Sequence, residues 1–325
     1  MTKPKFSIII PVKEINDYIG KFIPINLKQT YKNFEIIILP NKKPKREINF
    51  NDKRVRIIPS GNVGPAEKRD LGVKKSKGEI IAFIDDDAYP EKDWLNNSLP
   101  YFENLEIGAI GGPNLTPKES NFFQKVSGEV LSSYLVSGPV DFRYKPRAER
   151  ETDDLPSCNF LVRKSIFNKI HGFDTSFWPG EDTKLCLDII NQGKKIIYTP
   201  KLLVYHHRRP TLNAYLKQIF TYAKHRGFFA KKYPKSSLKL SYMVPSLFVL
   251  GLFFGFFLTL SNQFLALIYN SVILFYFVLL FIFSLSTKKI SHALPFIAIS
   301  FLTHIAYGLG VLRGLFMLNL KSKYR

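Results

Sequence analysis

Residues 82–94 read AFIDDDAYPEKDW. The apolar run Ile80–Ile84 has the length of a buried strand, and three carboxylates, Asp85, Asp86 and Asp87, follow it without a break. Charges of one sign packed this closely repel. Either they are solvated at the mouth of the sheet or they await a cation. Hard divalent cations take carboxylate oxygens and bridge to phosphates, so the second option carries chemistry with it.

Outward from this stretch the pattern repeats. Phe6–Val12, Phe34–Leu39, Arg54–Ile58 and Ile107–Ile110 read as further strands. Between them Ile19–Gln29, Gly64–Lys75 and Asp93–Phe102 read as helices, or a loop leading into one. Strands apolar on both faces, alternating with helices, indicate a parallel α/β sheet covered on both sides. Ligands of such sheets bind beyond the carboxyl ends of the strands. Pro11-Val12-Lys13-Glu14, Leu39-Pro40-Asn41 and the three aspartates all fall at such ends and are expected to share one cleft. No GxGxxG follows the first strand and no GxxxxGK[ST] occurs, so dinucleotide and P-loop cradles are excluded.

The chain has 325 residues and a net charge of +21, unevenly spread. Residues 1–188 carry 29 Lys+Arg and all 26 Asp+Glu; residues 189–325 carry 18 bases and no acid. No charged residue occurs from Leu240 to Thr287. Within that span, 243–260 and 264–285 are each long enough to cross a bilayer as a helix, joined by the polar turn Ser261-Asn262-Gln263. Lys231, Lys232, Lys235 and Lys239 precede this hairpin and Lys288 and Lys289 follow it, which puts both ends on the cytoplasmic side. A third apolar stretch, 293–312, either spans or lies on the surface; spanning would carry Lys321, Lys323 and Arg325 outward, against the charge rule. The basic excess flanks these segments and suits lipid phosphates, not nucleic acid. Two cysteines, Cys158 and Cys186, form neither a disulfide framework nor a zinc spacing. The N-terminus lacks the length and cleavage pattern of a signal peptide. The domains expected are a cytoplasmic α/β domain over 1–230, a basic linker over 231–242 and a membrane region of two to three helices over 243–318.

Eight pieces in order resemble family 2 glycosyltransferases: IIIPVKE (8–14), EIIILPN (35–41), GPAEKRDLG (64–72), GEIIAFIDDD (78–87), AIGGPN (109–114), SCNFLVRKSIFNKIHGFD (157–174), GEDTKLCLDIINQGKKIIYTP (180–200) and LVYHH (203–207). The resemblance covers about 5–230. QIFTYAKHRG (218–227) and HIAYGLGVLRGL (304–315) add a likeness to the membrane-anchored members that build surface polysaccharides.

The resemblance implies a GT-A fold, Rossmann-like with a mixed sheet, followed by transmembrane helices. It implies a nucleotide-sugar donor, UDP-linked in most members, Mn2+ or Mg2+, and inversion at the anomeric carbon. Asp87 would be the metal ligand and Asp85 the ribose contact and second metal contact. Asp86 counts with the nucleotide side and is expected to face solvent. Asp182 would be the base that deprotonates the acceptor, with Glu181 binding acceptor or orienting a loop. His206 or His207 would complete the metal site. Pro11, Glu14, Asn41, Arg69 and Asp70 fall on the nucleotide side, and Gly111, Gly112 and Arg226 on the acceptor side. Asn41 stands where the family usually has an aspartate that reads uracil, which leaves GDP-linked and other donors open. Two other readings remain: a polyprenyl- or dolichyl-phosphate sugar synthase, and a non-catalytic membrane scaffold that retains the fold. The acceptor expected is membrane-associated, polyprenyl-linked or a lipid phosphate, and the protein an integral, multi-pass one of the cell membrane.

Overall fold

A computed structural model describes residues 5–44, 50–177, 179–287 and 289–320. Lys288, Lys321, Lys323 and Arg325, used above for orientation, lie outside the described residues. In chain order the first elements are β1 (Phe6–Pro11), α1 (Asp17–Leu27), β2 (Phe34–Leu39), β3 (Val55–Ile57), α2 (Pro65–Lys75) and β4 (Ile80–Ile84). Then come β5 (Ala88–Pro90), α3 (Trp94–Ser98), β6 (Ile107–Gly111), β7 (Asn114–Leu115), α4 (Phe122–Ser132) and α5 (Tyr134–Ser137). Next are β8 (Arg150–Glu151), β9 (Asn159–Arg163), α6 (Lys164–Lys169), α7 (Glu181–Asn191), β10 (Lys195–Tyr198) and β11 (Val204–His206). The remaining helices are α8 (Leu212–Lys232), α9 (Pro234–Ser237), α10 (Leu240–Thr259), α11 (Gln263–Ser284) and α12 (Ile290–Leu315).

The described residues form two compact units. The first is 5–117 with 142–207; the second is 118–141 with 208–320. The division falls ahead of position 230, and segment 118–141 joins the C-terminal helices.

The first unit holds an eight-stranded sheet in the order β3-β2-β1-β4-β9-β6-β10-β8. β1, β2, β3 and β4 pair in parallel, as do β6 and β10. β9 runs antiparallel between β4 and β6, and β8 antiparallel to β10, so the sheet is mixed and not wholly parallel. β9 reverses because the chain reaches it from the carboxyl end of β4, where Asn159 pairs with Ile84. That reversal delivers Ser157 and Cys158 to the rim beside Asp85. β1, β2 and β4 are buried at every position, as their apolar runs require. A small sheet, β5-β11-β7, sits past the aspartates. Its antiparallel β5–β11 register sets His206 across from Ala88.

In the second unit, α10, α11 and α12 are each long and apolar enough to cross a membrane by length and composition.

Candidate active site

Residues 85–88 turn tightly, the Ala88 amide donating to the Asp85 carbonyl at 3.2 Å. The turn separates the two outer aspartates, and β11 brings a histidine to them. Ligand atoms of Asp85, Asp87 and His206 lie within 4.8 Å of one another. His206 Nε2 is 3.0 Å from Asp87 Oδ1. Burial opposes charge on His206, but Asp87 and then Cys158 outweigh it and raise its pKa well above the usual value. Two carboxylates and an imidazole form a donor set that suits Mn2+ or Mg2+, and a cation there would take the place of that proton. His207 lies apart from the trio, its ring against Tyr18 and Phe22 with centroids at 5.0 and 5.7 Å.

Arg69, on α2, is 4% exposed and joins this trio to a second acidic pair. Its Nη2 donates to Asp85 Oδ1 at 2.7 Å and its Nη1 to Glu181 Oε1 at 3.3 Å. Glu181 and Asp182 open α7, where acids suit the helix dipole, and Gly180 precedes them at φ 117°. Asp182 Oδ2 accepts the Ser157 amide at 3.1 Å. Glu181 Oε2, Asp182 Oδ1 and Arg69 Nε are buried without a hydrogen-bond partner. Unpaired buried polar atoms are costly, so three in one cluster single it out as a candidate ligand site. Burial, then the charge of Asp182, pushes the Glu181 carboxyl up to about 8. Burial also raises Asp182, with Arg69 opposing it.

The expected nucleotide side is assembled in part. Pro11 ends β1, paired with Leu39 of β2, and Glu14 follows in an exposed loop. Asn41 donates to Asn62 Oδ1 at 3.0 Å and accepts from Lys68 Nζ. Lys68 is buried and also donates to the Val12 carbonyl. Burial pushes its ammonium down to about 8, with Asp86 opposing. Lysine offers only donors, so it fixes the Asn41 amide with the oxygen inward and the NH2 outward. The motif GPAEKRDLG contains Lys68, but only its contacts with residues 27 and 56 positions earlier reveal it.

Other expectations are corrected. Asp86 is half-buried, not solvated: Asn16 Nδ2 donates to it at 2.6 Å, and burial, then Asp87, pushes its carboxyl up to about 6. Arg69 binds acids of the site itself. Asp70 turns to the 171–173 turn, where it accepts the Phe173 amide at 3.0 Å. A Cβ on Gly111 would meet the Asn159 carbonyl and one on Gly112 the Leu202 carbonyl, so the protein's own backbone packing requires glycine at both positions. Arg226 belongs to the helical unit, where it donates to Ser237 Oγ at 3.1 Å and stacks over Tyr242 at 4.6 Å.

The profile described as glycosyl transferase family 2 matches residues 7–171. A dolichyl N-acetyl-alpha-D-glucosaminyl phosphate 3-beta-D-2,3-diacetamido-2,3-dideoxy-beta-D-glucuronosyltransferase of Methanococcus voltae is 24% identical over 70% of this chain and 74% of its own length. A pre-mycofactocin glycosyltransferase of Mycobacterium tuberculosis is 27% identical over 54% of this chain, which spans only 37% of that protein. Among solved structures, a mannosyltransferase from Pyrobaculum calidifontis in complex with GDP-Man and Mn2+ aligns with a TM-score of 0.52 at 15% identity, over 69% of this chain and 62% of that one. This last likeness is one of fold. With the profile matching half of the chain, and its match running through the strands that carry the three aspartates, the protein belongs to glycosyl transferase family 2.

Proposed function

We propose that this enzyme transfers a sugar, with inversion, from a nucleoside-diphosphate donor to a lipid-linked acceptor at the membrane. The observation that carries the reading is the continuous cluster Asp87–His206–Asp85–Arg69–Glu181–Asp182. It joins a cation-binding donor set to a buried carboxylate with a free oxygen. Asp85, Asp87 and His206 would hold Mn2+ or Mg2+, which when bound neutralises the charge developing on the leaving diphosphate. Asp182 takes the proton of the attacking acceptor hydroxyl; its raised pKa brings it nearer to the working range of a general base. Glu181, held by Arg69, positions that guanidinium between the two halves. Pro11, Glu14, Asn41, Lys68 and Asp86 flank the nucleotide, with a UDP-sugar as the first donor to try and GDP-sugars next. The name of the archaeal relative supports a dolichyl-phosphate-linked acceptor, and the mannosyltransferase complex supports a nucleotide sugar with Mn2+. The basic flanks of the apolar hairpin support a cytoplasmic catalytic domain.

Purified protein with Mn2+ or Mg2+ and a panel of nucleotide sugars tests this, beside Asp87→Ala. Metal-dependent turnover of one donor, absent in the variant, is expected. No binding or turnover of any donor with either metal would sink the reading and leave a scaffold that keeps the fold.

A further inference from the structure

We infer that α12 does not cross the bilayer: it lies along the membrane surface with α8, and the α10–α11 hairpin alone spans. The inference is independent of the donor chemistry. By length and composition α12 qualifies as a third span, so its surroundings decide the matter.

A helix that lies mostly against lipid shows apolar side chains on most of its sides. α10 and α11 do: Phe253, Phe254, Phe256, Phe257, Phe264 and Leu267 are all more than half exposed. α12 exposes only Ile290, Ser291, Leu294, Ala298, Leu309 and Arg313, a narrower open face that carries a charge near its end. Its buried positions include polar His292, Ser300, Thr303 and His304, and others, Phe301 and Leu302 among them, are half-buried.

Two of the elements packed on α12, α8 and α4, are charged. α8 runs parallel to the second half of α12. Tyr215 Oη meets Thr303 Oγ1 at 3.0 Å, Gly310 faces Ala223, Gly314 faces the Lys224 carbonyl, and Lys231 Nζ donates to the Met317 carbonyl at 2.6 Å. The contact is backbone to backbone: a Cβ on Gly227 would meet the Val311 carbonyl. α8 carries Lys217, Lys224, Arg226, Lys231 and Lys232. If α12 crossed, α8 would be dragged with it from Thr303 to Met317, about 21 Å of helix rise. Lys and Arg are expensive in hydrocarbon, and a helix with five of them has no place there.

Both ends of α12 are also tied to helices that precede the hairpin in sequence. His292, in its first turn, binds Glu129 of α4 at 2.8 Å, and α4 has only eleven residues. The far end is held by Lys231 of α8. The contacts of α12 with the hairpin include Ser246 Oγ, which donates to the Gly308 carbonyl at 3.2 Å, Tyr276 Oη, which meets His304 Nδ1 at 2.8 Å, and the rings of Phe248 and Phe277 against Phe301. At the tip of the hairpin, Ser261, Asn262 and Gln263 are exposed. A helix pair with one narrow open face and a basic partner is built to rest at the boundary of headgroups and acyl chains, with Lys217, Lys231 and Lys232 reaching lipid phosphates.

Single cysteines at exposed positions read this out in sealed vesicles with a membrane-impermeant maleimide. Leu238→Cys marks the hairpin entry, Asn262→Cys its tip, and Leu318→Cys the end of α12. The two native cysteines are buried and give little background. Leu318→Cys is expected to react from the face that labels Leu238→Cys, and Asn262→Cys from the other. Labelling of Leu318→Cys from the Asn262 face would overturn the inference. A protease-cleavable tag after residue 325 reads the same topology independently: cleavage from the Leu238 face supports it and cleavage from the Asn262 face overturns it.

Discussion

Asp182 rests one carboxylate oxygen on the Ser157 amide and keeps the other unpartnered at the start of α7. Replacing it with Asn keeps the shape and removes the basicity. Asp182→Asn should lower kcat by about 10²–10⁴-fold while donor affinity, measured by calorimetry, stays close to wild type. An unchanged kcat would favour a bare phosphate acceptor, which needs no strong base. Arg69 faces the opposite test. It bonds Asp85 and Glu181 at once, so Arg69→Met leaves the buried acidic cluster without its cation and should cost about 3–5 kcal/mol in chemical denaturation. Arg69→Lys should recover little of it, because an ammonium cannot reproduce the fork. Asp70 supplies a pH signature. Burial pushes its carboxyl up to about 6 against a model-peptide value of 3.8, with the Phe173 amide opposing. A raised folded pKa gives stability that is full below about 4 and lost as pH rises through 6. Asp70→Asn should therefore melt higher than wild type above pH 6, and the gain should shrink toward zero as pH falls to 4. The aspartate triplet and the Glu-Asp pair stand out as candidates because chemistry-bearing residues stand together in the chain; the late histidine came from the resemblance, which left His206 and His207 open. Lys68 and Asn16 do not stand out, because their meaning lies in contacts with Asn41 and Asp86, 27 and 70 residues distant.

Among the elements, long uniform runs were the easiest to read. β1, β2, β4 and α2 stand within a residue or so of where apolar runs and the Gly-Pro start place them. The short strands β5 and β7, three and two residues long, left no periodic signal, whereas the apolar run Leu202–Tyr205 marks β11, which delivers His206. Gly111 and Gly112 pack against the protein's own carbonyls, which the sequence does not reveal. Glycine permits close approach without saying whether a ligand or the protein's own carbonyl approaches. The same property governs α12. Gly310→Leu would drive side-chain atoms into the Phe220 carbonyl and Ala223 of α8. It should destabilise by about 1–3 kcal/mol or more and loosen the helix pair, seen as faster hydrogen exchange in α8. Gly251→Ala, where nothing lies within 4 Å, is the control and should be neutral or slightly stabilising.

For the whole molecule, charge asymmetry announced a mixed-charge globular part and a basic, apolar helical part, but not where one ends. Segment 118–141 has no compositional mark that assigns it to the helices. Only its packing does, through pairs such as Glu129–His292, 163 residues apart. If the hairpin is the anchor, alkaline or high-salt washing should leave the protein in the membrane pellet. Replacing 243–285 with a short polar linker should make it extractable by salt, since basic side chains at the surface would then hold it alone. The Tyr215–Thr303 contact closes a loop of 88 residues that contains α10 and α11. During synthesis α8 therefore emerges long before the surface it needs, the glycine face of α12, and waits while α10 and α11 are made. α12 is the clasp. A chain cut after residue 287 would keep every acid of the cleft and both apolar helices, and would leave α8 without its partner, so the defect should appear in quality control and lifetime.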